Sequence, residues 1–374
     1  MYYNIFSTKD TWISSGSNPD TGVDYTDINY GKDQILELKK HFYNDTFDYQ
    51  TRVLVSFAGA DLTAVSASVS DGTITNPKYY LRLYEAEGTQ DLTEDYKIVA
   101  YPLSQSWDEG VGKIGASPKI TNGTSWKNRT NKPGASATTW VDGGASYVSA
   151  SKYVHSQSFS NESPDINMDV TRIVESWITS STSNSNLSNY GILLRFSGSQ
   201  ETDTETFGQL KFFSRNTNTI YAPKLQVRWD DHSPATGSNT GSLLQITSSG
   251  QAENYIYSVG IKESYKEKEK VKFRFGARKR YIQKTFSTSV QTISGSFIPE
   301  GSGSYSIVDK ATGEEVVPFD DDYTKLSCDT KGMYFTQWLN GFEPDRAYKI
   351  LIKVKYDDKQ EHIFDDNFEF IIRR

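Results

Sequence analysis

The sequence has little cysteine, methionine or histidine, and it has no long apolar run. Its 374 residues include one Cys, three Met and four His. A single cysteine, Cys328, excludes an intramolecular disulfide and any zinc site built on several cysteines. No apolar run approaches the roughly 20 residues that a helix needs to span a bilayer, so we expect no membrane partner. Residues Met1–Asn4 begin neither a basic nor an apolar leader, so we expect no signal peptide.

Charge is spread unevenly along a chain whose formal net charge is −7. Residues 1–232 carry 20 Lys+Arg against 27 Asp+Glu, whereas residues 233–374 carry 20 against 20. This difference favours two physically distinct units. An acidic first part would repel phosphates, so we expect no nucleic-acid partner.

Aromatic and turn-forming residues are abundant, with 24 Tyr, 19 Phe, 7 Trp and 27 Gly. Short runs alternate apolar and polar residues, as in Arg52–Phe57, Leu81–Tyr84 and Tyr348–Lys355. Such runs between polar turns are typical of strands, so the sequence predicts an all-β protein. The last run, the polar residues Asp357–Gln360 and the returning run Phe368–Ile372 predict a terminal hairpin.

The clearest domain boundary follows the apparent closing strand Lys224–Trp229. The stretch after it is polar and rich in Gly and Ser, which predicts a linker over residues 231–252. We therefore predict domains over residues 1–230 and 253–374. The second domain has the strand pattern of an immunoglobulin-like β-sandwich.

One short helix is predicted at about residues 169–179. Asp169 can cap its first turn, and Val170, Ile173, Val174 and Trp177 then share one helical face. The preceding region, residues 110–165, is rich in Gly, Ser, Thr, Asn and Lys and predicts long loops.

Three tryptophans in this loop-rich region are candidates for carbohydrate binding. Trp107, Trp126 and Trp140 could each offer a ring on which the apolar face of a sugar stacks. For Trp107 and Trp126, the interpretation as core residues of strands is favoured over a sugar platform. Trp140, among Gly, Ser and Thr, is the best stacking candidate, and a contact between subunits would explain it as well.

A basic and aromatic segment near residue 275 is the candidate protein interface. It contains Phe273, Arg274, Arg278, Arg280 and Tyr281, and Arg and aromatic residues are common anchors of protein contacts. Neighbouring glutamates, such as Glu267 and Glu269, disfavour nucleic acid. The acidic N-terminal domain of a neighbouring subunit is the hypothetical partner.

Catalytic and metal-binding patterns find little support, so we expect no enzyme activity, no metal and no cofactor. The four histidines have none of the spacings typical of zinc enzymes, and no serine-nucleophile motif accompanies them. Asp320–Asp322 lacks the spaced ligands of a calcium loop and is interpreted as a solvated turn. A polysaccharide-degrading enzyme would need two carboxylates about 5–10 Å apart in a cleft, and no such pair is recognisable.

Residues 1–230 resemble the DNRLRE family, a group of β-sandwich domains related to carbohydrate-binding modules. No single motif is specific, but they follow one another in the family's order, and the name-giving hexapeptide is absent. The resemblance implies a jelly-roll-like β-sandwich with one short helix. The matching pieces are Asp10–Ile13, Asn29–Gly31, Arg52–Phe57, Leu81–Tyr84, Trp107–Gly110, Ser125–Trp126, Asp169–Val174 with Trp177, Asn189–Leu194, Phe213–Arg215 and Ala222–Leu225.

The C-terminal part resembles structural proteins of tailed-bacteriophage virions. The residues that carry this resemblance are Phe273–Phe275, Ala277–Tyr281, Tyr323–Asp329 and Trp338–Pro344. It implies a non-enzymatic component of the neck, collar or tail, made in the host cytoplasm and carried in the virion. There it would form a symmetric homo-oligomer and bind other virion proteins. The alternative is a host-adhesion module that recognises surface polysaccharide.

Overall fold

The computed structural model divides the chain into two compact units. The N-terminal unit comprises Ile5–Thr73 and Lys78–Val227, and the C-terminal unit comprises Met1–Asn4, Ile74–Pro77 and Arg228–Arg374. Both units are built mainly of β-strands, so the all-β prediction is confirmed. The described residues are 1–18, 23–43, 47–87, 95–160, 165–178, 187–205, 207–246, 254–281, 286, 288–290, 293–356 and 360–374.

The first fifteen strands in chain order form the N-terminal unit, although the first residues of β1 belong to the C-terminal unit. They are β1 (Tyr2–Ser14), β2 (Ser17–Asn18), β3 (Val23–Asp24), β4 (Ile35–Tyr43), β5 (Phe47–Phe57), β6 (Lys78–Leu83), β7 (Glu85–Glu87), β8 (Asp95–Pro102), β9 (Asn128–Thr130), β10 (Thr138–Thr139), β11 (His155–Ser160), β12 (Ile166–Asp169), β13 (Ile192–Phe196), β14 (Gly208–Phe213) and β15 (Lys224–Arg228).

One large sheet dominates this unit, with the strand order β11-β8-β13-β5-β1-β15-β6-β12. The long strand β5 changes partners along its length. Its residues 51–57 pair with β1, and its residues 47–50 pair with β4. β4 pairs in turn with β14, and β14 with β7, which adds a branch to the sheet. Val53 and Val55 on one face of β5 and Leu54 on the other are all fully buried, so both faces of the sheet are covered here.

Three α-helices lie in the described part of the N-terminal unit: α1 (Gly59–Ser70), α2 (Thr171–Ile178) and α3 (Gly198–Thr202). α2 is the predicted helix, and the Asp169 carboxylate, one residue before the cap position Val170, accepts a hydrogen bond from the first helical amide, Thr171, at 2.9 Å. α1 was not predicted, because Leu62 and Val65 are its only buried residues and they form no apolar stripe in the sequence. Short 3₁₀ helices span Ser151–Tyr153 and Arg215–Thr217.

The C-terminal unit is a sandwich of two sheets. One sheet has the order β16-β20-β19-β24-β23, with β17 also paired to β19, and the other has the order β18-β26-β25-β21-β22. Its strands are β16 (Leu244–Gln245), β17 (Asn254–Val259), β18 (Ser264–Lys266), β19 (Lys270–Lys279), β20 (Ser296–Phe297), β21 (Gly303–Asp309), β22 (Glu315–Val317), β23 (Ser327–Asp329), β24 (Gly332–Trp338), β25 (Ala347–Lys355) and β26 (Glu361–Arg373), with 3₁₀ helices at Gly237–Asn239 and Leu339–Gly341.

Aromatic rings from the two facing sheets fill the core of this sandwich. The ring of Phe273 on β19 lies 5.0 Å from that of Phe370 on β26, and the ring of Tyr305 on β21 stacks on that of Phe335 on β24 at 3.7 Å. Cys328 is buried in the same core. The predicted terminal hairpin is confirmed, since β25 pairs with β26 in antiparallel register from Tyr348↔Phe370 to Val354↔His362. Residues 357–359 of its turn lie outside the described residues.

The division of the chain differs in three places from the predicted domains, and one of them is that Ile74–Pro77 belongs to the C-terminal unit. Met1–Asn4 belongs to the C-terminal unit, where the Gln337 side chain donates a hydrogen bond to the Tyr2 carbonyl at 2.6 Å. In the predicted linker, Ala235 and Ile246 are buried in the hydrophobic core of the C-terminal unit. These two residues are isolated in polar sequence, so no local pattern predicted their burial. Residues 247–252 of that linker lie outside the described residues.

Candidate functional site

The three candidate tryptophans lie in the segment between β8 and β11, residues 103–154, which covers one face of the N-terminal sheet. We call this segment the covering loop. Trp107 and Trp140 are each 4% exposed and pack with Ile13, Leu54 and Leu193. Both indole N–H groups donate to carbonyls, Trp107 to Tyr190 at 2.8 Å and Trp140 to Ser125 at 2.9 Å. The structure therefore places Trp107 and Trp140 in a core, where neither ring offers a face to a sugar.

Trp126 is half-buried and is the most accessible of the three. The Arg52 guanidinium lies 4.7 Å from its ring centroid, so one ring face is already occupied by a cation. Arg52 also donates to both carboxylate oxygens of Glu201, at 2.8 and 2.7 Å, and to the Gly144 carbonyl at 2.6 Å. Trp126 thus stacks on a buried, fully paired arginine.

A second arginine completes this buried cluster. Arg195 pairs with the same Glu201 carboxylate and donates to the Tyr147 hydroxyl at 2.7 Å. Arg52, Arg195 and Glu201 have side chains that are 9%, 8% and 3% exposed. One carboxylate between two guanidiniums fixes Gly144 and Tyr147 of the covering loop to strands β5 and β13 and to helix α3.

Asn29 anchors the other end of the covering loop. Its side-chain amide donates to the carbonyls of Glu109 and Thr124 at 2.7 Å each, and its side-chain oxygen accepts from the amides of Gly31 and Gly112. The chain approaches so closely here that a Cβ at Gly112 would lie 1.9 Å from the Asn29 carbonyl oxygen. The turn at Asn29 and the loop segments at Glu109, Gly112 and Thr124 therefore meet around the Asn29 side chain. We call this contact region the hub.

Asp10 and Glu109 bring two carboxylates to this hub. Asp10 is 1% exposed, and burial raises the pKa of its carboxyl from 3.8 to about 7, with the Glu109 charge as a further cause. Its Oδ2 accepts from the Arg215 amide at 2.8 Å, while its Oδ1 is buried without a hydrogen-bond partner among the described residues. Glu109 pairs with Lys32 at 2.7 Å and with Arg215 at 3.3 Å. A carboxyl this deeply buried is out of reach of a polysaccharide substrate.

The C-terminal unit carries an open surface of a different kind, on the outer side of the sheet that contains β19. Alternate residues of a strand point to the same face, and even-numbered positions of β19 point away from the core. The antiparallel neighbours β17 and β24 add tyrosines and a tryptophan to that face. We call this surface the basic–aromatic face, and it comprises Tyr255, Tyr257, Lys270, Lys272, Arg274, Arg278, Tyr334 and Trp338.

Each cation of the basic–aromatic face lies over an aromatic ring. The distances from cation to ring centroid are 4.9 Å for Lys270 over Trp338, 3.9 Å for Lys272 over Tyr334 and 4.8 Å for Arg278 over Tyr255. Arg274 lies 5.5 Å from Tyr334. Strand register creates these pairs, since Lys270 lies opposite Trp338, and Arg278 opposite Tyr255. The rings hold the cations in a row along one strand.

Most of this positive charge has no carboxylate partner. Arg274 forms a two-point ion pair with Asp329, at 2.6 and 2.8 Å, and this pair holds the pKa of the Asp329 carboxyl below its usual value. Among the described residues, no carboxylate lies within ion-pair distance of Lys270, Lys272 or Arg278. The face therefore presents three cations without an ion pair in the described part of the chain, although the Asp329 charge also acts on Lys272.

The predicted interface residues divide between core and surface. Phe273 is 1% exposed, because an odd-numbered position of β19 points into the sandwich, so it cannot contact a partner on the outer face. Arg274 and Arg278 lie on the basic–aromatic face. Arg280 and Tyr281 follow the end of β19 and are exposed, Tyr281 by 75%.

Sequence reasoning missed Lys270, Lys272 and the four rings. The alternation of cations from Lys270 to Arg278 was a signal that could have identified the basic half of the face. The rings of Tyr334 and Trp338 join it only through the pairing of β19 with β24, which no local pattern reveals.

The described residues contain neither a cluster of metal-ligating side chains nor a helix able to span a membrane. No group of three or more His, Cys, Asp or Glu side chains there is placed to hold a metal ion. In the predicted acidic turn, Asp320 accepts hydrogen bonds from the amides of Asp322 and Tyr323, and Asp321 pairs with Lys355. No helix among the described residues has the length and apolarity to cross a membrane.

Comparisons with known proteins return little. No protein-family model matches the chain, and no curated protein matches it. Among solved structures, the chain is similar to the adhesin domain of Epf from Streptococcus pyogenes, with 8% sequence identity and a TM-score of 0.19. The match covers 99% of this chain and 98% of that chain. A TM-score of this size carries no argument about fold or function.

Proposed function

We propose that the chain is a non-enzymatic structural component of a tailed-bacteriophage virion, in the neck, collar or tail, where it binds other virion proteins. The basic–aromatic face is the observation that carries this proposal. Its cations lie over rings, and three of them lack an ion-pair partner among the described residues. Lys270 and Lys272 are exposed, whereas Arg274 and Arg278 are half-buried. Aromatic residues and arginine are enriched at protein interfaces, so this composition suits a protein partner.

Placement in a virion rests on the sequence resemblance of the C-terminal part. The bacteriophage setting also gives a reason for several copies, because virion parts are closed symmetric assemblies. A homo-oligomer would repeat the basic–aromatic face around the symmetry axis. Each copy would then offer the same row of cations to a neighbouring chain.

Carbohydrate binding for host adhesion is the competing function, and the geometry supports it less. It requires open tryptophan rings, whereas Trp107 and Trp140 are core residues and Trp126 stacks on Arg52. Binding of the full chain to a panel of bacterial surface polysaccharides tests it. Saturable binding that Trp126→Ala abolishes would establish the adhesion function instead.

The proposed function is tested on particles. Cells that produce this chain would be induced to release particles, which are purified by density gradient and analysed by mass spectrometry and immunoelectron microscopy. We expect the chain at one position of the particle, in a fixed ratio to other components. Its absence from every released particle would contradict the proposal.

A further inference from the structure

We propose that the basic–aromatic face binds an extended acidic protein segment with two carboxylates at alternate residues, for Lys270 and Lys272, and a third one six residues later, for Arg278. This inference rests on the proposed function and specifies the partner of the same surface. Three cations without an ion pair among the described residues favour a negatively charged partner, and their positions on β19 define how that charge must be spaced.

The spacing follows from strand geometry. Lys270, Lys272 and Arg274 are alternate residues of β19, so their Cα atoms repeat at about 6.8 Å along the strand. An extended segment has the same repeat between alternate side chains. A Glu-x-Glu sequence lying along β19 therefore brings one carboxylate each to Lys270 and Lys272, which a compact acidic cluster does not. The next position lies opposite Arg274, whose guanidinium already pairs with Asp329, so it needs no carboxylate.

The row of cations on β19 is interrupted at Gly276, and this interruption adds a requirement on the sequence of the bound segment. Gly276 occupies the next outward position, and a Cβ there would lie 2.4 Å from the Tyr257 ring, so this ring lies across the glycine. Arg278 follows at the far end of the strand. The matching segment has an apolar residue opposite Tyr257 and a further carboxylate opposite Arg278.

The rings of this face argue against sugar or nucleobase ligands. Those ligands bind aromatic residues by stacking on open ring faces. Here Lys272 lies 3.9 Å from the Tyr334 centroid, and Lys270 and Arg278 lie over Trp338 and Tyr255. The rings instead restrain the cations, which lowers the side-chain entropy lost when a carboxylate binds.

The test uses the full chain and two peptides of the same composition. Glu-Thr-Glu-Thr-Thr-Thr-Val-Thr-Glu places its acidic and apolar residues to match β19, and Glu-Glu-Glu-Thr-Thr-Thr-Thr-Thr-Val groups its charges at one end. Binding is measured by fluorescence anisotropy at low and high salt. We expect the alternating peptide to bind more tightly by about fivefold, and its affinity to fall with salt.

Two charge reversals on the same strand provide a matched pair. Lys272→Glu lies on the basic–aromatic face, whereas Lys279→Glu lies at an odd-numbered position of β19 that is exposed beyond the core. We expect Lys272→Glu to weaken binding of the alternating peptide roughly tenfold, since it replaces an attractive pair by a repulsive one, and Lys279→Glu to weaken it about twofold or less.

Equal binding of both peptides, or equal effects of both substitutions, would overturn the inference, because the face would then be a non-specific polyanion site. Heparin or an oligothymidine that binds as tightly as the alternating peptide would overturn the choice of a protein segment. If neither peptide binds but Lys272→Glu still removes the chain from purified particles, the inference fails and the proposed function stands. Peptide binding by a chain absent from all particles would instead refute the proposed function.

Discussion

The two units set basic side chains against aromatic rings in opposite ways. In the N-terminal unit, Arg52 stacks on Trp126 beneath a covering loop, and Glu201 matches its charge. In the C-terminal unit, Lys272 lies over Tyr334 on an open sheet face, with no carboxylate at ion-pair distance in the described part of the chain. The same residue types thus make a structural core in one unit and an open charged surface, for which we propose a binding role, in the other. The two arrangements differ in whether a loop buries the cation and whether a carboxylate pairs with it.

The largest effect is expected from removing the counter-charge in the covered cluster. Glu201→Gln leaves the guanidiniums of Arg52 and Arg195 buried without a carboxylate, which we expect to lower the free energy of unfolding by about 3–5 kcal/mol. Urea denaturation followed by circular dichroism measures it. Glu205→Gln, an exposed position four residues later, is the control and should change stability by less than about 0.5 kcal/mol. Equal stability of the two variants would mean that the cluster contributes nothing.

Weakening the contacts that hold the covering loop should expose the tryptophans that are buried in the native protein. Asn29→Ala removes four hydrogen bonds at the hub, and we expect it to lower the free energy of unfolding by about 3 kcal/mol. Acrylamide should then quench tryptophan fluorescence more strongly, because Trp107 and Trp140 lie under this loop. Asn131→Ala, in the same loop but with one exposed hydrogen bond, is the matched control. Unchanged quenching in Asn29→Ala would show that other contacts hold the loop.

The buried carboxyl at the hub predicts a pH dependence of stability. The pKa of Asp10 rises from 3.8 to about 7 on folding, so between these values the native state holds a proton that the unfolded state has lost. Stability should therefore fall as pH rises from about 4 to 7, with a slope of up to about 1.4 kcal/mol per pH unit from this group. Denaturation at several pH values measures the slope. Asp10→Asn should remove this contribution, and Asp142→Asn, at an exposed position, should retain it. Equal slopes in both variants would contradict the assignment.

Local sequence patterns predicted much of the fold. Alternation in Tyr348–Lys355 predicted the terminal hairpin, and the apolar face after Asp169 predicted α2. These features depend on neighbours within a few residues. The helix Gly59–Ser70 lacked such a pattern and was missed.

The site depended on contacts that are distant in sequence. Trp140 looked exposed because its neighbours are small and polar, yet the loop that buries it is fixed by Asn29, which is 80 residues from Glu109. The row of cations on β19 was visible in the sequence. The rings that hold these cations come from β17 and β24, and only strand register places them there.

The smallest effect is expected on the open face, and it separates stability from binding. Lys272→Ala removes one exposed cation–ring contact, so we expect the free energy of unfolding to fall by only about 0.5–1 kcal/mol. Lys279→Ala, on the same strand without such a contact, should leave stability unchanged within about 0.5 kcal/mol. Urea denaturation of the two variants gives the difference. A loss from Lys272→Ala as large as that from Glu201→Gln would mean that Lys272 supports the fold as the buried arginines do. The contrast between a covered core and an open surface that contributes little to stability would then no longer hold.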